Sequence, residues 1–329
     1  MMARSAPLIC GGHSRPIPDI RYSTCTEDGI FLISACLDGK PMLRNGESGD
    51  WVGTFEGHKG AVWSAAMDPP ALRSITGSAD FTVKLWNAIS GDELHSFQHS
   101  HIVKTVDFSQ DSNRILSGGH EKNIRIFDIS KYDAEPFKLD GLPNVVKVAV
   151  FAGKAHDDNL VLAGFQGESN IMIFDLRTKG VAKTLTTSGP VSSMEISLDG
   201  KHIATACGRE AQFWDVNTFE LQRAFPFPST SSVESASLHP DNKKFVAGCS
   251  DNWVRVMDFA TGKELECLKG HHGPVHAVRI CPNGESFASG SEDGTIRIWA
   301  YLGLKAEGMN GKANGEVTKQ EPVPDSKPI

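Results

Sequence analysis

The stretch GSADFTVKLWN, residues 77–87, decides how this chain is read. A polar turn carrying Asp80 leads into an alternating strand that closes on Trp86 and Asn87. Two further stretches follow the same plan: CSDNWVRVMD at 249–258 and GSEDGTIRIWA at 290–300. Four weaker copies close at Arg44-Asn45, Phe127-Asp128, Phe174-Asp175 and Trp214-Asp215. Successive ends lie about 40 to 47 residues apart, the period of a four-stranded propeller blade.

A second marker, Gly-His, stands upstream of the copies at 77–87 and 290–300. Gly57-His58 and Gly270-His271 are echoed by Gly12-His13 and, more weakly, by Gln98-His99. Alternating strands follow, such as AVWSAAM from Ala61 and PVHAVRI from Pro274. Turns such as SQDSN, SLDGK, HPDNK and CPNGE come next, with Asp, Asn and Gly at the positions that need unusual backbone angles. The pattern predicts antiparallel strands throughout and no amphipathic helix.

In these residues the sequence resembles the WD-repeat family. The resemblance implies an all-β fold, a seven-bladed β-propeller with four antiparallel strands per blade. It also implies a buried hydrogen-bonded set of His, Ser/Thr, Asp and Trp in each full blade. Two blades match that set completely and with identical spacing: His58, Thr76, Asp80 and Trp86, then His271, Ser289, Asp293 and Trp299. Elsewhere the set decays. Arg44 replaces Trp in blade 1, Glu121 replaces Asp in blade 3, and blade 4 lacks the His. Blade 5 has lost the Asp near Gly208, and blade 6 has Ser229 and Ala247 in tetrad positions. Those blades are expected to rely on apolar packing between neighbours.

The propeller is expected over residues 7–303, its blades ending near 45, 87, 128, 175, 215, 258 and 300. The last copy has little chain left for a fourth strand, so Pro7 to Cys10 is expected to complete blade 7 and close the ring. Closure would remove two sheet edges. Residues 304–329 are poor in apolar side chains, have balanced charge and carry no aromatic, which predicts a disordered tail.

Composition narrows the function. The 329 residues carry a formal net charge of −7, which argues against a protein that coats nucleic acid by bulk charge. No stretch approaches the roughly 18 apolar residues of a membrane span, and the opening MMARSAPLICGG lacks a signal-peptide core. A soluble chain without membrane insertion is expected. The 7 cysteines form no C-x-x-C pair, so reduced, packed thiols are expected. Cys36, Cys207 and Cys249 share one repeat position, and Cys207 and Cys249 are candidates for mutual approach. No phosphate-binding loop, nucleophile elbow, zinc-protease or kinase signature occurs. The His-Ser/Thr-Asp sets imitate a catalytic triad, but they recur beside Trp at packing positions. No catalysis, metal or cofactor is expected.

In WD propellers the start of each innermost strand reaches the top of the disc. The resemblance assigns that position to Pro18, Trp63, Lys104, Lys147, Ser192, Glu234 and His276 in blades 1 to 7. The turn before the tetrad Asp adds Leu37, Ala79, His120, Ser250 and Glu292, with Arg209 in the short turn of blade 5 and Arg15 in the first loop. An exposed Trp63 beside Lys104 and Lys147 predicts an aromatic and basic partner site suited to an acidic peptide or an RNA segment.

Several stretches are more particular. FLISACLDGKPMLRNGESGDWVGTFEGHKGAVW, HIVKTVDFSQDSN, SASLHP and PVHAVRICPNGESFASGSEDGTIRIW closely resemble the serine-threonine kinase receptor-associated protein family, also called UNR-interacting proteins, from about Pro7 to Trp299. That resemblance implies a cytoplasmic and nuclear adaptor. Its implied partners are Gemin-type components of the survival-of-motor-neuron complex in spliceosomal ribonucleoprotein (snRNP) assembly, an RNA-binding translation regulator and, in animals, receptor kinases. RNA contact is then indirect. Ribonucleoprotein assembly weighs more than receptor signalling, because the vertebrate members continue into a longer acidic extension that this sequence lacks. Two rivals stand beside it: a scaffold like subunit i of translation initiation factor three, which shares the style of blade 2, and a direct RNA-binding module.

Overall fold

The structure is a computed structural model that describes residues 6–301; the expectation of a disordered tail at 304–329 falls outside them. Its 28 strands form seven four-stranded antiparallel sheets, six of them consecutive in sequence. Blade 2 is typical, with strands at Val62–Met67, Arg73–Ser78, Thr82–Asn87 and Glu93–Gln98 running from the axis to the rim. The seventh sheet takes its outermost strand from the N-terminus. Leu8–Cys10 pairs antiparallel with Ile296–Ala300, Leu8 opposite Ile298 and Cys10 opposite Ile296. The ring closes through hydrogen bonds between the first and last strands of the propeller.

Packing explains why the blades form a ring. The apolar core divides into seven clusters, and each joins one blade to the next. Blade 2, for example, faces blade 1 with Val62, Ala65 and Trp86, and faces blade 3 with Ala66, Ile75 and Leu85. A blade alone would leave both faces wet, so the burial that stabilises it exists only in the closed circle.

Close approach depends on a repeated glycine in the second strand. A Cβ on Gly77, Gly118, Gly248 or Gly290 would sit 2.8 Å from a Val or Ile side chain on the inner strand of the next blade or just before it. Blades 1 and 5 carry Ala35 and Ala206 there and are packed differently. Blade 5 meets blade 6 through rings: Phe213 lies 5.0 Å from both Phe245 and Phe259, and Phe225 lies 4.8 Å from Phe245. These blades lack a full polar set, and aromatic contact holds them together.

Candidate functional site: the mouth of the central channel

The polar sets fix the turns that surround the channel. In blade 2, His58 Nδ1 lies 2.7 Å from Asp80 Oδ2 and His58 Nε2 lies 2.7 Å from Thr76 Oγ1. Trp86 Nε1 donates to Thr76 Oγ1 at 2.8 Å. The Asp80 carboxylate can only accept, so His58 Nδ1–H donates to it, and Nε2 of the neutral imidazole accepts the Thr76 hydroxyl proton. Blade 7 repeats this with His271, Asp293, Ser289 and Trp299 at 3.0, 2.7 and 2.8 Å. Burial pushes the Asp80 carboxyl up, but hydrogen bonds from His58, Thr82 and the Lys59 amide overcome it and hold the group well below the usual range. With Thr76 and Ser289 fully buried under Trp, these hydroxyls are structural groups that substrate cannot reach.

The weaker blades keep more of the set than their sequences suggest. Blade 1 retains His13 against Ser34 at 2.8 Å and Asp38 at 3.2 Å, and Arg44 uses its guanidinium on the carbonyls of Gly49 and Gly11. In blade 3, His99 meets Ser117 at 2.9 Å while Glu121 pairs with Arg125 at 2.6 Å. Blade 5 preserves the Trp214 to Thr205 bond at 3.2 Å. The weaker blades therefore combine apolar packing between neighbours with what remains of the polar set.

His13, Cys36 and Asp38 offer ligand atoms within 4.8 Å of one another. Both His13 nitrogens are committed, and the Cys36 thiol, pushed up to about 12 by burial, donates to the Arg15 carbonyl at 3.1 Å. Burial likewise raises Cys207 to about 11 and Cys249 to about 12, which suits packed thiols. Those two lie in different apolar clusters, Cys207 between blades 4 and 5 and Cys249 between blades 5 and 6, and both are buried free thiols.

His99 gives the fold an acid-sensitive element. Burial first, then the Arg125 charge, hold its pKa down to about 4 from the ordinary 6.5. The unfolded chain therefore takes up this proton before the folded one does, and stability present above 6.5 is lost as pH falls toward 4. The loss is on the order of 3 kcal/mol. Urea unfolding between pH 7.5 and 4 should show that fall, with a shallower slope in His99→Gln; an unchanged slope would count against the assignment.

The innermost strands surround a cavity of about 370 Å³ that opens on one face. Pro18, Trp63, Lys104, Lys147, Ser192, Glu234 and His276 all line it, joined by Leu37 and Glu292. A β-bulge explains the convergence. In blades 2 to 7 the ladder between first and second strand skips one residue, between Val62 and Ser64, Val103 and Thr105, and likewise onward. The skipped residues are Trp63, Lys104, Lys147, Ser192, Glu234 and His276. A bulged residue leaves the pairing pattern and is re-aimed, here toward the mouth.

Trp63 is half-buried rather than openly exposed, which corrects the sequence expectation. Lys104 lies across it, Nζ 2.8 Å from the ring centroid. The indole Nε1 is buried without a hydrogen-bond partner among the described residues. Neither Lys104 nor Lys147 has a carboxylate partner among those residues. Burial, then the Lys147 charge, lower Lys104 to about 8. His120 stands beside them, its ring stacked on His101 at 4.9 Å, and Phe81 continues the row at 5.6 Å from His101. Phe81 is 42% exposed and holds a φ of 69°, a left-handed conformation that costs a bulky residue about 1–3 kcal/mol. Sequence reading missed Phe81; its signal was a phenylalanine directly after the tetrad Asp, where blade 7 has Gly294. Arg209 and Arg15 stand outside the mouth, both exposed, Arg15 on a recess between blades 1 and 2.

An ion-pair layer forms the floor. Arg21 Nη1 donates to Asp107 Oδ1 at 2.6 Å, Arg279 approaches Asp19 and Glu195 at 3.7 Å each, and Ser64 donates to Asp19 at 2.9 Å. Arg21, Met194 and Arg279 also line a second cavity of about 200 Å³ below, so the layer divides the channel. Burial raises the Asp107 and Glu195 carboxyls despite their arginine neighbours.

A ring of seven such blades, with its polar sets used for architecture and its inner bulges turned to one mouth, defines a WD-repeat propeller, a class of interaction scaffold. The WD domain, G-beta repeat family matches residues 49–87, 91–128, 220–258 and 262–300. The serine-threonine kinase receptor-associated protein of Dictyostelium discoideum is 50% identical over 293 residues, 89% of this chain and 98% of the relative. The Homo sapiens protein of that name is 45% identical over 309 residues, 94% of this chain and 86% of the relative. Eukaryotic translation initiation factor 3 subunit I of Culex quinquefasciatus is 28% identical over 326 residues, 90% of this chain and 96% of the relative. The chain belongs to the serine-threonine kinase receptor-associated protein family. No helix among the described residues is long and apolar enough to cross a membrane.

Proposed function

We propose that this chain is a non-catalytic adaptor that holds protein partners at the channel mouth. We further propose that it serves the survival-of-motor-neuron complex in spliceosomal ribonucleoprotein assembly, in cytoplasm and nucleus. One observation carries the first part: two lysines without carboxylate partners, beside a half-buried Trp63, on a protein of net charge −7. Such a local reversal of sign favours a segment that brings an acidic side chain to the two lysines. The second part draws on the family resemblance. The relatives' name also associates them with a serine-threonine kinase receptor, a further partner class for this chain. An initiation-factor scaffold is the weaker reading, at 28% identity against 50%. Direct RNA binding ranks third, because the mouth also carries Glu234 and Glu292.

Affinity purification of the tagged chain from native extract tests both parts. Gemin-type and survival-of-motor-neuron proteins should copurify and be depleted at least tenfold by Trp63→Ala and by Lys104→Glu with Lys147→Glu. Copurification of initiation-factor subunits instead would overturn the assembly assignment, and undiminished partners in both variants would overturn the site.

A further inference from the structure

The charges around the mouth are sorted by blade. Blades 1 and 2 present Pro18, Leu37 and Trp63, an apolar sector. Blades 3 and 4 present Lys104 and Lys147. Blade 5 contributes the small Ser192, and blades 6 and 7 present Glu234 and Glu292. The acidic side is reachable: the Glu292 side chain is 50% exposed and meets His276 at 2.7 Å, while Glu234 accepts a hydrogen bond from Ser232 at 2.6 Å. The floor offers little free charge, since Asp19, Arg21, Asp107, Glu195 and Arg279 face one another.

We infer that the mouth receives one short peptide segment of mixed charge, with an acidic side chain between Lys104 and Lys147, a basic one at Glu234 and Glu292, and an apolar one over Leu37 and Trp63. The inference rests on the mouth being the partner surface and adds the chemistry of what enters. A cavity of about 370 Å³ suits a few side chains rather than a folded domain. A polyanion such as single-stranded RNA satisfies one side only and brings phosphates against the two glutamates. A purely acidic peptide meets the same repulsion. A carboxylate arriving at Lys104 would reverse the depression of its pKa, so binding takes up a proton and weakens as pH rises above about 8.

Selection of random twelve-residue peptides displayed on phage against the intact chain tests this directly. The expected result is enrichment of peptides holding Asp or Glu and Lys or Arg at a reproducible spacing. By fluorescence anisotropy, the enriched peptide should bind at least tenfold more weakly to Lys104→Glu/Lys147→Glu and to Glu234→Lys/Glu292→Lys. Glu234→Gln/Glu292→Gln, which removes charge without reversing it, should weaken binding in the same direction. Acidic-only peptides, or binding lost in the lysine variant but kept in both glutamate variants, overturn the mixed-charge segment and leave the partner surface standing. No enrichment, or binding unchanged in all variants, overturns both.

Discussion

Replacing Trp86 with alanine is expected to destabilise the propeller by about 3–5 kcal/mol, the range for removing a large buried aromatic. Trp86 is fully buried and packs on Phe55 at 5.5 Å and on His58 at 5.9 Å. It belongs to the cluster that joins blade 2 to blade 1, so its loss opens a cavity at an interface rather than within one sheet. The Thr76 hydroxyl also loses its indole donor while keeping His58. Trp86→Phe should cost only about 1 kcal/mol, the worth of that hydrogen bond, because Phe127 and Phe174 occupy the equivalent positions in blades 3 and 4. Urea unfolding followed by circular dichroism measures both. An alanine variant within 1 kcal/mol of the parent would mean the blade interfaces do not carry the stability assigned to them.

A loss of about 3 kcal/mol or more is expected for Asp107→Ala in the channel floor, and most of it should vanish in the double variant Arg21→Met/Asp107→Leu. Asp107 accepts from Arg21 at 2.6 Å and from the Phe151 amide at 2.9 Å, and both side chains of the pair are largely shielded from water. Removing the carboxylate strands a guanidinium whose remaining acid, Asp19, lies 3.7 Å away. An uncompensated buried charge is costly, whereas replacing both partners with apolar groups of similar size is often neutral. A double-mutant cycle in urea unfolding measures the coupling. Equal losses in the single and double variants would show that the layer acts through packing and not through charge.

Much of the architecture was legible because propeller blades are built from local instructions. The Asp80 and Asp293 turns, the alternating strands after them and the matched histidines all fall within one blade's span of chain, so period and spacing identify them. The ring of mouth residues was reachable through the WD-repeat resemblance, blade by blade. Their bulges were not, since Trp63 and Lys104 differ entirely in chemistry and share only a place in a ladder. The ion-pair layer left a trace: Arg21, Asp107, Glu195 and Arg279 are charges in the middle of otherwise half-apolar strands. Which acid meets which base could not be read, because Arg21 and Asp107 are brought together only by the curvature of the whole ring.

The chain on its own determined the number of blades, the strands within each and the polar sets of blades 2 and 7, because hydrogen bonds and turns inside a blade depend on residues close in sequence. The tertiary structure alone decided that Trp63 lies beneath Lys104, that Phe81 extends the row through His101 to His120, and that the mouth is divided into apolar, basic and acidic sectors. Those relations join different blades, and their distances follow from packing seven sheets around one axis, a constraint that no single repeat contains.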